Sequence, residues 1–336
     1  MSERSYAIIG TGALGGFYGG RLARAGLDVH FLLHSDYEHV RREGLLVESV
    51  DGDFHLPAVN AFARADDMPP CDVAIVALKT TANDRLGELL PPAVAPGGVA
   101  AVFQNGLGIE EQVADILGDA RVMGGLCFLC SNKIGPGHIR HLDYGYVTLG
   151  DYDPQSRPAG LTDRMRAIGG DLQAAGIRVN YAEDLVLARW KKLIWNVPFN
   201  GLSVVLDAST DVLMGDPHTR ELAEQIMREI AAAAKAAAGR TIEDDFILQQ
   251  LADTRKMAPY RPSMMLDHEA GRPMEVEAIF GAPLRAAEAA GCPVPRLDVL
   301  YRQLKALDAR SARQASPRGG CASGAAEYPP PGPEAP

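Results

Sequence analysis

Apolar positions along this chain follow two rhythms, and the change between them falls near residue 182. Before it, short apolar runs at 6–9, 29–33, 72–78, 99–103 and 122–129 are too brief for buried helices and read as strands. The first is followed by a helical stretch that continues to Ala25 and is closed by Gly26. Residues 138–142 and 146–149 alternate apolar with polar, which predicts a hairpin turning at 143–145. A helix over about 161–175 and a strand at 177–181 complete this half. Beyond 182 the pattern is helical, at about 184–206, 217–238, 243–257, 275–290 and 295–309, with no strand among them. The alanine-rich run at 231–240 is a strong helix former, with Gly239 as its expected C-cap. The expected fold class is therefore α/β: a sheet domain over 1–182, then an all-helical domain over 183–310. From 311 to 336 Pro, Gly, Ser and Ala dominate, and this tail is expected to be disordered.

Composition narrows the possible partners. A net charge of -10 argues against nucleic acid, so an anionic ligand would need a local cationic site. The chain enters its first strand without a basic-then-apolar leader, and no run of ~20 apolar residues offers a membrane span. A cytoplasmic protein is expected. Five scattered cysteines do not form a disulfide framework. Cys127 and Cys130 are a lone CxxC on a strand, without the further ligands of a zinc site, so no metal is expected.

The turn after the first strand carries more chemistry. It reads Gly10, Thr11, Gly12, Ala13, Leu14, Gly15, and it stands between a strand and a helix that leads to a second strand. That context is the dinucleotide fingerprint of a Rossmann-type doubly wound sheet. Gly10 permits the tight turn, Gly12 lets a pyrophosphate approach the backbone, and Gly15 lets helix and strand pack closely. The helix N-terminus offers free N–H groups to the phosphates. At the tip of the second strand stand His34, Ser35 and Asp36, with no carboxylate at the tip itself, which leans towards NADP over NAD. Lys79 and Asn105 follow two further strands, where ligands of open α/β sheets bind, although loop polarity alone would also explain them.

In the helical half, RWKKLIWNVPFN places Lys192, Asn196 and Asn200 four residues apart, on one stripe of one helix. Spacing leaves two readings: a solvated lysine on an irregular core helix, or a polar stripe facing a pocket. Pro198 removes one backbone donor and predicts a kink or loosening nearby. Lys191 lies about 100° around the helix and reads as solvated. Ser263 is either a helix N-cap or part of a second polar group. Glu275 and Glu277 cannot share one helix face, and pattern does not choose between them.

Taken together, GTGALGG at 10–16, Leu78-Lys79, QNGLG at 104–108, RWKKLIWN with Asn200, and SMMLD followed by Glu275 resemble the ketopantoate reductase (2-dehydropantoate 2-reductase) family. The resemblance runs from Tyr6 to about Leu307. It implies a 6-phosphogluconate-dehydrogenase-like helical domain and NADPH-dependent reduction of a 2-keto acid. It also implies Lys192 as general acid and Glu275 as the essential carboxylate, with Asn105, Asn196, Asn200 and Ser263 on the substrate. Asn105 would also lie near the nicotinamide ribose, and Lys79 would help hold the 2′-phosphate. His34 stands where the family usually has Arg, and Gly201 where it usually has Pro. An ammonium beside a carbonyl can donate the proton and stabilise the developing oxyanion, and a carboxylate partner would keep it charged. The rivals are reduction of another branched 2-oxo acid, an imine-forming dehydrogenase, and a non-catalytic NADP-binding regulator. A helical domain of this kind either stands alone or forms a homodimer.

Overall fold

In the computed structural model, which describes residues 3–315, the first strand buries Tyr6 and Ile8 on one side and Ala7 and Ile9 on the other. Covering both faces of a parallel strand is what makes its sequence a continuous apolar run. The strands are β1 (Ser5–Ile9), β2 (Asp28–Leu32), β3 (Leu45–Ser49), β4 (Phe54–Leu56), β5 (Asn60–Phe62), β6 (Cys71–Val76), β7 (Val94–Val102), β8 (Val122–Gly135), β9 (His138–Asp151) and β10 (Val179–Tyr181). They form one sheet in the order β4-β3-β9-β8-β7-β6-β1-β2-β5, with β10 added alongside β9. From β8 to β5 the neighbours run parallel, while β8–β9 and β3–β4 are antiparallel. Strand order reverses between β1 and β6, so the loops after these two strands flank the crevice where open α/β sheets bind ligands.

The sheet is covered by α1 (Ala13–Arg24), α2 (Tyr37–Glu43), α3 (Leu86–Ala93), α4 (Ile109–Leu117) and α5 (Asp163–Ala174). After Tyr181 the described chain is helical: α6 (Leu185–Leu206), α7 (Thr210–Gly215), α8 (Pro217–Ala238), α9 (Asp244–Lys256), α10 (Ser263–Glu269), α11 (Ala282–Ala289) and α12 (Pro295–Ala315). Its core centres on α6, whose Trp190, Leu193, Ile194, Val197 and Phe199 are buried among apolar residues of α8, α11 and α12. Gly239 caps α8 in the left-handed conformation, as its sequence predicts.

Four local expectations are corrected. Residues 143–145 make no hairpin turn: β9 runs straight through them, and the turn lies between Gly135 and His138. The positive φ values of Tyr144 and Gly145 instead form a bulge, where Leu129 pairs with Tyr144 and Phe128 with Tyr146, leaving Gly145 over. The helix expected at 275–290 begins as a π turn, Glu277–Gly281, in which the Ala278 carbonyl accepts from Leu107 N at 3.0 Å across the domain interface. Helix α6 passes Pro198 unbroken. Helix α12 continues to Ala315, into the stretch read as tail, because Pro and Gly become dense only after it; residues 316–336 lie outside the described residues.

Candidate active site

The glycine turn has the shape that a dinucleotide needs. Gly10 adopts φ +98°, and a Cβ on it would stand 2.6 Å from the Leu78 backbone of the neighbouring loop. A Cβ on Gly15 would strike the Gly10 carbonyl at 2.2 Å, so α1 packs on the turn only through glycine. Gly12, the N-cap of α1, faces open space: nothing lies within 4 Å of an added Cβ. The N–H groups of Ala13, Leu14 and Gly15 begin the helix and are free of intrahelical partners. The Thr11 hydroxyl donates to the Leu32 carbonyl at 2.9 Å, fixing the turn against β2, and the Leu14 side chain packs on the sheet core. The residues present fit a bound pyrophosphate.

At the tip of β2, His34 and Ser35 are exposed. Asp36 is buried, paired with Lys133 at 2.6 Å and accepting from Gly137 N at 3.0 Å. Its carboxylate therefore holds the β8–β9 turn. Lys79 pairs with Asp267 of α10, across the interface, and Asp267 also takes Arg272 at 3.0 Å. The Lys79 side chain remains 44% exposed.

Lys192 is buried, so it is not the solvated lysine that spacing alone allowed. Its ammonium donates to the Cys127 carbonyl of β8 at 2.6 Å and sits 5.1 Å above the Phe128 ring. Burial is the main reason its pKa falls from 10.5 to about 8; nearby Arg189 lowers it further, while Cys127 and Glu275 oppose the fall. Lys191, expected to be solvated, is half-buried with its ammonium 5.0 Å from the Phe246 ring.

One turn beyond Lys192, Asn196 is buried and has no side-chain hydrogen bond among the described residues. Asn200 donates to the Asn196 carbonyl at 3.1 Å and accepts from Met264 N at 3.4 Å, tying α6 to the start of α10. Asn105, half-buried after β7, also has an uncommitted side chain among the described residues. Ser263 is the first residue of α10, after the N-cap Pro262, and is exposed. It is not an N-cap.

Glu275 is buried and Glu277 exposed, which makes the choice that pattern left open. The expected Lys192–Glu275 ion pair is absent. One Glu275 oxygen instead accepts from both N and Oγ1 of Thr80, each at 3.0 Å, because the loop after β6 brings two donors to it. Burial raises the Glu275 pKa, and these bonds partly offset the rise. Sequence reasoning missed Thr80 and Asp267 as interface partners, and Arg189 as a buried cation. The only signal for Arg189 was a charge three residues from Lys192 on the same helix.

A glycine turn at the reversal point of a doubly wound sheet, with a helical domain that brings a buried lysine to the same sheet, defines a two-domain NAD(P)-dependent oxidoreductase. The chain belongs to the ketopantoate reductase family: the profile "Ketopantoate reductase PanE/ApbA" matches residues 6–154, and its C-terminal counterpart matches 184–308. It is 58% identical over 311 residues to a 2-dehydropantoate 2-reductase of Nostoc sp., covering 93% of this chain and 97% of that one. The crystal structure of 2-dehydropantoate 2-reductase from Geobacter metallireducens superposes with a TM-score of 0.86 at 40% identity, over 90% of this chain and 99% of that one. A Staphylococcus aureus ketopantoate reductase described as dimeric shares the fold at 21% identity and a TM-score of 0.76, over 91% and 99% of the two chains.

Proposed function

We propose that this protein reduces 2-dehydropantoate to pantoate, with NADP(H) as its cofactor. The observation that carries the reading is the buried Lys192 ammonium, held at the Cys127 carbonyl and followed one turn later by the uncommitted amide of Asn196. A reduced nicotinamide, when bound, would supply the hydride. Lys192 gives its proton to the carbonyl oxygen, and its positive charge stabilises that oxygen as charge develops on it. Asn105, Asn196 and Ser263 grip the substrate's carboxylate and hydroxyl without competing for the proton, and Asn200 adds its second amide hydrogen. Glu275 serves as the essential carboxylate through Thr80, not through an ion pair with Lys192.

On the cofactor side, residues 10–15 would hold the pyrophosphate, Asn105 the ribose, and Lys79 with His34 the 2′-phosphate. The stretch 1–182 is the dinucleotide-binding domain, and 183–310 carries the proton donor. Among the described residues no helix is long and apolar enough to cross a membrane. A cytoplasmic enzyme, dimeric like its S. aureus relative, is the arrangement we propose; sedimentation equilibrium tests the second point.

NADPH oxidation over a panel of 2-oxo acids, with and without ammonia, tests the reading. Fastest turnover with 2-dehydropantoate is expected, and Lys192→Ala is expected to lower it by ~10²–10⁴-fold with little change in NADPH affinity. Faster turnover of another 2-oxo acid, or no turnover of any, overturns the substrate or the activity respectively.

A further inference from the structure

Arg189 lies three residues before Lys192 on α6 and is itself buried, with 3% of its surface exposed. A guanidinium carries five N–H donors and does not lose its charge, so burying one demands acceptors and a counter-charge. Both come from the sheet domain. Its Nε donates to the Glu110 carboxylate at 2.8 Å, Nη1 to the Gln104 carbonyl at 2.6 Å and Nη2 to the Val102 carbonyl at 3.0 Å. Nη2 also contacts the same Glu110 oxygen.

These three partners bracket the loop that holds Asn105. Val102 ends β7, Gln104 directly precedes Asn105, and Glu110 lies in the first turn of α4. Glu110 has its place because Gly124 of β8 carries no side chain: a Cβ there would stand 2.7 Å from the carboxylate oxygen. Lys192 then reaches Cys127, three residues further along the same strand. One forked side chain therefore fixes α6 against the carboxyl end of β7, next to the strand that receives the ammonium. A lysine at 189 would keep the charge but lose the planar fork that three acceptors require.

We propose that Arg189 is a positioning residue for Lys192, its fork on Glu110, Val102 and Gln104 setting where α6 presents the ammonium. The inference rests on Lys192 as the proton donor. Arg189 acts only through Lys192 and the Asn105 loop. If the pair merely fastened two domains together, its loss would weaken folding and dinucleotide binding alike and leave Lys192 in its place over the Phe128 ring.

The test uses the full chain with Arg189→Met combined with Glu110→Gln, so that no lone charge stays buried, and Arg189→Lys as a second variant. Turnover, KM for 2-dehydropantoate, NADPH affinity by fluorescence and melting temperature are measured. The place of Lys192 is read in ligand-free protein by NMR of ε-carbon-labelled lysine, whose signal depends on its distance from the Phe128 ring. The double variant is expected to lose about 10²-fold in kcat, the scale of an ångström-level misplacement. KM and NADPH affinity should barely move. In both variants the ε-carbon signal of protonated Lys192 should move, because the ammonium leaves its place over the Phe128 ring. Arg189→Lys, which keeps the charge, should lose kcat and show the same moved signal. Wild-type kcat in either variant, or a kcat loss with an unmoved Lys192 signal in Arg189→Lys, overturns the proposal. Should the wild type reduce no 2-oxo acid, the proposed function falls instead, and the NMR signal still tests whether Arg189 places Lys192.

Discussion

Lys192 and Glu275 are displaced from their ordinary pKa values in opposite directions by the same cause, removal from water. Reduction needs the protonated lysine. Its rate should therefore be full below about pH 8 and fall as pH rises through the Lys192 pKa, while oxidation of the hydroxy acid should rise through the same range. If ionised Glu275 is also required, activity should fall on the acid side at a pH above the ordinary glutamate value of ~4.3. The profile of kcat/KM against pH, which reports the free enzyme, checks both limbs. An alkaline limb near pH 10 would mean that burial does not lower the Lys192 pKa, and a rate that never falls on the alkaline side would mean that Lys192 is not the donor. At the tip of β2, His34 is exposed. His34→Arg is expected to tighten NADPH binding and His34→Asp to favour NADH; tighter NADH binding by the unaltered protein would sink the assignment.

At the scale of elements, what could be read from sequence depended on how local its cause was. β1, β2, β6 and β7 announced themselves because both faces are buried, which leaves continuous apolar runs. Strands β4 and β5, three residues each, are too short to show any period, and their pairing is decided by distant partners. The polar stripe on α6 was legible because a helix repeats every three to four residues. Its partners were not: Glu110 lies 79 positions from Arg189, and Asp267 lies 188 from Lys79. The misplaced hairpin has a similar origin, since an Asp-Tyr-Gly step suits a turn and a bulge equally well. Because Gly145 holds φ +108° with His141 and Phe17 atoms 3.3 Å from an added Cβ, Gly145→Ala should destabilise by about 1–2 kcal/mol. Urea unfolding measures this; an unchanged midpoint would show that the bulge carries no such demand.

On the scale of the whole molecule, neither domain holds the candidate site alone. The loop after β6 grips the helical domain twice, through Lys79 on Asp267 and Thr80 on Glu275, and Gly106 allows the loop after β7 to press against Ala278. The first of these contacts bears on cofactor choice. Lys79 is the cation assigned to a 2′-phosphate, yet it is paired with a carboxylate, so a phosphate there must share or displace Asp267. Asp267→Asn keeps the shape of the buried side chain and removes its charge. We expect it to strengthen NADPH binding by about tenfold, the scale of one partly screened charge near a protein surface, and to leave NADH nearly unaffected. Titrating both cofactors against the variant and the wild type by fluorescence decides the matter. Equal changes for the two would mean that Asp267 acts on domain closure in general. Weaker NADPH binding would mean that Asp267 holds Lys79 in the position the phosphate needs, and the pair would then be part of the binding site and not its competitor.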